Sequence, residues 1–180
     1  MNASEIFQHL SPGLNEQVLS YLNTAEKPTY KVAIQTLATQ RKLRPIFVER
    51  KPRAERQAWI GAALARPNNE GIASNLLQMW LMGAQAPVLC DFLDALGIEH
   101  DEHGGIESLP AAPEAEKINA AVEATLAKHP AEIVAVYLHS FQTMDIAGWP
   151  TLGETLEKDT RLHLPNATPA PVAPVAPAAA

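Results

Sequence analysis

At 180 residues, with a net charge of −6 and 47% hydrophobic against 19% charged residues, the chain has the composition of a globular protein and is not disordered throughout. An acidic chain lacks the general attraction that drives non-specific nucleic-acid binding. Its single cysteine, Cys90, forbids an intrachain disulfide or a zinc site made of several cysteines, and its setting in VLCDFL reads as a small buried hydrophobe.

The opening MNASEIFQHL has no basic segment followed by an apolar one, so no signal peptide is expected and the cytoplasm is the default compartment. Asn2 stands three residues ahead of Glu5, a capping-box spacing, before a short apolar segment at 6–10. Ser11-Pro12 restarts a helix carrying Leu14, Val18, Leu19 and Leu22, and Lys27-Pro28 marks the break after it. A helix from about residue 29 follows, with Tyr30, Val32, Ala33, Ile34 and Leu37 as its apolar face. Then comes RKLRPIFVERKPRAER at 41–56, where Pro45 and Pro52 are expected to interrupt regular helix and Ile46, Phe47 and Val48 form an apolar anchor among charges.

The next helix spans about 53–65, with Trp59, Ile60, Ala63 and Leu64 on one stripe. The stretch 69–96 is the richest in large apolar side chains: Ile72, Ala73, Leu76, Leu77 and Trp80 recur at helical spacing, and Met79, Leu81 and Met82 widen the arc, which predicts a central helix. Gln78, Gln85 and Asp91 interrupt it, so no membrane span and no membrane partner are expected. Ala86-Pro87 opens a second helix ending at Gly97, with Val88, Leu89, Phe92, Leu93 and Leu96 turned inward. Residues 98–108, IEHDEHGGIES, read as a small hairpin or an ordered loop.

A helix from about Pro113 carries Ile118, Ala121, Val122 and Thr125; His129-Pro130 separates it from one carrying Ile133, Val134, Tyr137, Leu138 and Phe141. A short segment at 151–164 closes the ordered part. The Pro/Ala-rich tail 166–180 has no charge and reads as disordered; with no secretory signal expected, the match of Asn166-Ala167-Thr168 to a glycosylation pattern is taken as chance.

The second half lies on the first with helix ends in step. Ala54-Glu55-Arg56 matches Ala115-Glu116-Lys117, and Leu64-Ala65-Arg66 matches Leu126-Ala127-Lys128. Glu70, Ile72, Ala73, Leu76 and Met79 match Glu132, Val134, Ala135, Leu138 and Phe141; Leu96-Gly97 meets Leu152-Gly153 and Leu109-Pro110 meets Leu164-Pro165. The expected architecture is therefore all-α, stacked helical hairpins with an internal duplication: an N-terminal helical segment 1–40, a basic connector 41–52, repeat units 53–110 and 111–165, and the tail.

Residues 41–56 hold seven of the fourteen cations against two carboxylates, so they carry +5 while the rest of the chain carries −11. Arg41, Lys42, Arg44, Phe47, Arg50, Lys51, Arg53 and Arg56 are the candidate partner-binding residues. The competing reading is a solvated connector paired with acidic neighbours in the same molecule. Glu99-His100-Asp101-Glu102-His103 are all possible metal ligands, but their spacing lets only two or three converge, so a polar turn is expected and no metal. His139 is expected to be a packed or partly exposed histidine, and Met79, Trp80 and Met82 core residues rather than the lining of a ligand pocket. No catalytic motif occurs. The functional expectation is a non-enzymatic protein-interaction or scaffold module with an unknown protein partner and no cofactor; nucleic-acid binding through 41–56 is the second reading, and an enzyme or metal-binding protein without a local motif the third.

Overall fold

The structure, a computed structural model, describes residues 1–108, 110–144 and 148–165. Among these the protein is all-α: ten helices and two short 3-10 turns, with no strand. The expected disordered tail, its Asn166 sequence and the Leu109 match lie outside the described residues.

Helix α1 (Ala3–His9) starts at the expected capping box, in which the Asn2 side chain accepts from the Glu5 backbone N and the Glu5 carboxylate accepts from Asn2 N. α2 (Pro12–Ala25) is capped by the Ser11 hydroxyl, and α3 (Lys27–Gln40) follows a single non-helical residue, Glu26. Where prolines were expected to exclude regular helix, Pro45 instead begins α4 (Pro45–Glu49). Proline at the first helical position lacks an N–H that would have had no partner there, so it starts a helix as readily as it stops one. Val48, fully buried, fixes α4 on α3.

α5 (Arg53–Leu64), a 3-10 turn (Pro67–Asn69) and α6 (Glu70–Ala84) form a hairpin; its bend is held by buried Asn69, whose side chain donates to Ala63 O at 2.7 Å. α1 packs on α5 and α6, as does α2. α7 (Ala86–Leu96) ends at Gly97 in the left-handed conformation, φ 71°. α8 (Ala115–Leu126) and α9 (Ala131–Met144) form the second hairpin, and α10 (Pro150–Lys158) lies across both, followed by a 3-10 turn (Thr160–Leu162) on α9.

The matched hairpins are thus α5–α6 and α8–α9, but the third helices pack differently. α10 folds back on its own hairpin, whereas α7 makes its most extensive contact with α8, tying the first unit to the second. The most enclosed helix is α9 rather than the expected α6: all of 133–140 is buried, while α6 leaves Ser74, Asn75, Gln78 and Met82 exposed. The core includes Leu19, Leu22, Leu37, Ile60, Leu64, Trp80, Phe92 and Trp149, each contributing about 1.5–3 kcal/mol by burial. Phe141 stands edge-on between Phe92 and Trp149, with ring centroids 6.3 and 5.2 Å away.

Among the described residues no single helix is long and apolar enough to cross a membrane; the apolar segments 67–84 and 86–96 meet at a 72° bend.

Candidate functional site

Two regions offer binding surfaces, and only the first is marked in the sequence. The first is the basic segment. Leu43 in the turn after α3 and Ile46 and Phe47 on α4 are 40, 43 and 59% exposed, rare values for such side chains in this molecule. Arg50 caps α4, three residues beyond Phe47 and four beyond Ile46, and so shares their face of the helix. Lys42, whose backbone is left-handed (φ 55°), and Arg44, just before the helix, add charge at the other end. Lys42, Arg44 and Arg50 have no ion-pair or side-chain hydrogen-bond partner among the described residues.

The remaining cations of the segment are used within the molecule. The Arg41 guanidinium lies 5.7 Å from the centroid of the Trp59 ring. Lys51 faces Glu55 at 3.6 Å, and Arg53 reaches α2, 3.5 Å from Glu16 and donating to Ser20 Oγ at 2.8 Å. Arg56 donates to Glu49 O at 3.1 Å. The eight sequence candidates therefore divide. Phe47 forms part of the exposed ridge and Lys42, Arg44 and Arg50 flank it, while Arg41, Lys51, Arg53 and Arg56 fasten the connector to its neighbours. No ion pair joins 41–56 to 111–165 among the described residues; the acidic partner within the chain is Glu16 of α2.

The second region is a cleft between α6 and α9. At one end Met82, Leu89, Ile106, Tyr137 and Phe141 line a chamber of about 490 Å³, roofed by the 103–108 segment. At the other, Asn2, Glu70, Ser74, Gln78, Ser140 and Thr143 contribute to a more polar chamber of about 520 Å³. Gln78 lines both, so the two adjoin. Met82, half exposed, was read from the sequence as core; it lies on the cleft wall, whereas Trp80 is fully buried and Met79 half-buried. The signal available was that Met82 falls outside the arc of Ala73, Leu76, Leu77 and Trp80 on the helix.

Residues 98–108 form an ordered loop and not a hairpin. The Asp101 carboxylate accepts from His103 N at 2.8 Å and Gly105 N at 2.7 Å, which holds it below the usual carboxylate range; the Gly105 bond contributes most, then the His103 bond. His100 bonds Asp94 at 3.2 Å and Asp101 O at 2.6 Å. Asp101 and His100 are thus engaged in holding the turn, and no group of three or more such side chains converges among the described residues. Cys90, expected to be buried, is half-buried, and its thiol reaches the loop at Glu102 O, 3.7 Å away. Desolvation first, and then the charges of Asp94, Asp101 and Asp91, push this thiol above its ordinary value, which makes it a poor nucleophile. Burial pushes the Tyr137 phenol up to about 12, so it stays protonated in the cleft wall.

Of the packed and partly exposed readings, His139 takes the packed one, with its Nε2 3.3 Å from Leu162 O. Burial first, and the α-ammonium of Met1 second, lower its pKa to about 4, so at neutral pH it is uncharged.

No protein-family model, curated protein or solved structure matches the chain.

Proposed function

We propose that the protein is a non-enzymatic interaction module that docks an acidic partner protein on the α4 ridge. The observation that carries this reading is the coincidence of exposed Leu43, Ile46 and Phe47 with Lys42, Arg44 and Arg50, cations that no carboxylate among the described residues neutralises. A solvated connector has no use for three exposed large apolar side chains. An interface does, since aromatic and arginine side chains dominate binding when a partner removes them from water. The charge selects a partner surface rich in Asp and Glu and gives fast, salt-sensitive association. The stacked hairpins behind the ridge serve as a rigid support.

The test is fluorescence anisotropy with a labelled acidic amphipathic peptide, set against poly-aspartate, single-stranded RNA and anionic lipid vesicles. The reading requires that the amphipathic peptide bind most tightly, that Phe47→Ala weaken it by about tenfold or more, as for a central aromatic anchor, and that Arg44→Ala with Arg50→Ala reduce its salt dependence. Tighter binding to RNA or vesicles, or indifference to Phe47→Ala, would replace it.

A further inference from the structure

We infer that the α6–α9 cleft is a binding site for a neutral single-chain amphiphile, an alkyl chain bearing an uncharged hydrogen-bonding head. The site is separate from the α4 ridge and does not depend on that reading. Each chamber lies within the range of roughly 300–1,000 Å³ usual for ligand pockets. Their contrast gives the ligand its polarity: Met82, Leu89, Ile106, Tyr137 and Phe141 suit an alkyl chain, and the chamber beyond Gln78 suits a polar head.

A second observation places the head. Ser140, 5% exposed, lines the polar chamber with a buried Oγ that has no hydrogen-bond partner. A buried helical serine ordinarily returns its hydroxyl to a carbonyl one turn back, and an orphaned hydroxyl costs about 1–3 kcal/mol. The nearby Thr143 hydroxyl does bond back, to Ser140 O at 3.0 Å, so the helix itself permits the bond. The Ser140 hydroxyl can both donate and accept, which fits a hydroxyl or amide head.

Charge excludes the alternatives. Among the described residues no lysine or arginine lines either chamber, so a carboxylate or phosphate head would enter without a counter-charge. The carboxylates present are already engaged, Glu70 by Ala3 N and Ser4 N and Asp101 by its loop, and exposed Glu107 lies at the apolar end, away from the head. Both Glu70 oxygens are satisfied by backbone N–H groups, so the polar end offers a cationic head no unengaged carboxylate. His103 faces Glu102 at 3.6 Å.

The experiment is calorimetric titration of the full chain with monolauroylglycerol below its critical micelle concentration, beside laurate and dodecyltrimethylammonium. Saturable one-to-one binding with a negative heat-capacity change is expected for the neutral probe, with both charged probes at least about tenfold weaker. Ser140→Ala, which removes only an unpartnered hydroxyl, should melt no lower than the parent and bind about fivefold more weakly. Met82→Asp, at an exposed position, should fold and lose binding, while Phe47→Ser on the distant ridge should bind as the parent does. The inference is overturned by absence of saturable binding, by a charged probe binding as tightly as the neutral one, or by unchanged affinity in both Ser140→Ala and Met82→Asp.

Discussion

Glu132, in the first turn of α9, holds Ser11 at the start of α2 through both carboxylate oxygens, accepting from the backbone N at 2.7 Å and from Oγ at 2.8 Å. Glu70, its match in the other unit and the first residue of α6, does the same for α1, accepting from Ala3 N at 3.0 Å and Ser4 N at 2.8 Å. Each hairpin thus uses one carboxylate to fasten an N-terminal helix, and a shared device at matched positions is what a duplicated unit would retain. Removing it leaves backbone N–H groups without partners. Glu132→Ala should lower unfolding free energy by about 1–3 kcal/mol in urea titration, with Glu132→Gln intermediate because a neutral acceptor remains.

His139 gives the molecule an acid-sensitive point. Its folded pKa, about 4, lies below the ordinary histidine value, so between the two the unfolded chain binds more protons than the folded one. The stability of the neutral buried form is therefore fully present above pH 6.5 and is lost as pH falls toward 4, by about 3 kcal/mol in all. Denaturation followed from pH 7 to 4 should show this fall, and His139→Gln should flatten the part above pH 5, where carboxylates contribute little.

Most of the helices were legible because their signals are local. The Asn2–Glu5 box, the stripe Ile118, Ala121, Val122 and Thr125, and Gly97 as a stop all act within one or two turns of chain. Pro45 was misread because proline starts helices and stops them with the same chemistry, and only the packing of Val48 on α3 decides between the two. The enclosure of α9 was hidden for a different reason. His139 and Ser140 read as polar, yet His139 is covered by the turn at 160–162, which lies on α9 from a later part of the chain. The basic ridge was legible as charge, but which cations face outward depended on Glu16, Ser20 and Trp59, each remote in sequence. The cleft left almost no trace, since it is a space between helices and only Met82 departs from its helical arc.

Gly104 fixes the roof of the apolar chamber. Its φ of 80° suits glycine, and a Cβ there would stand 2.6 Å from Leu89 Cδ2. Gly104→Ala meets both penalties and should cost about 1–3 kcal/mol. Hydrogen exchange should accelerate at Gly105 N, which bonds Asp101, before the helices are affected. Adding Leu89→Ala would relieve the clash and leave the backbone strain, so recovery should be partial.

Asp91 of α7 bonds the Lys128 ammonium and His129 Nε2, the latter at 2.6 Å, at the end of α8. The Lys128 bond first and the His129 bond second hold the Asp91 carboxyl below its ordinary value, so the link contributes fully above the usual carboxylate range and is lost as pH falls below that range, through the lowered value. Because the Lys128 side chain is 59% exposed, the bond is screened and Asp91→Asn should cost only about 1 kcal/mol. High salt should narrow the difference between variant and parent if the loss is electrostatic, and leave it unchanged if it comes from packing.

Phe47 separates binding from folding. It is 59% exposed, whereas Val48 beside it is fully buried, so adjacent positions on α4 serve the surface and the core. Phe47→Ser should change stability by no more than about 0.5 kcal/mol, the ordinary range for a surface substitution, and should reduce self-association at high concentration by removing exposed apolar area. Val48→Ala should cost about 1–3 kcal/mol and loosen α4 from α3. Paired measurement of melting temperature and acidic-peptide affinity would distinguish the two: Phe47→Ser should lose affinity at unchanged stability, and Val48→Ala should lose stability first. Loss of stability in Phe47→Ser comparable to Val48→Ala would mean that the side chain packs inward, and the ridge would no longer be available to a partner.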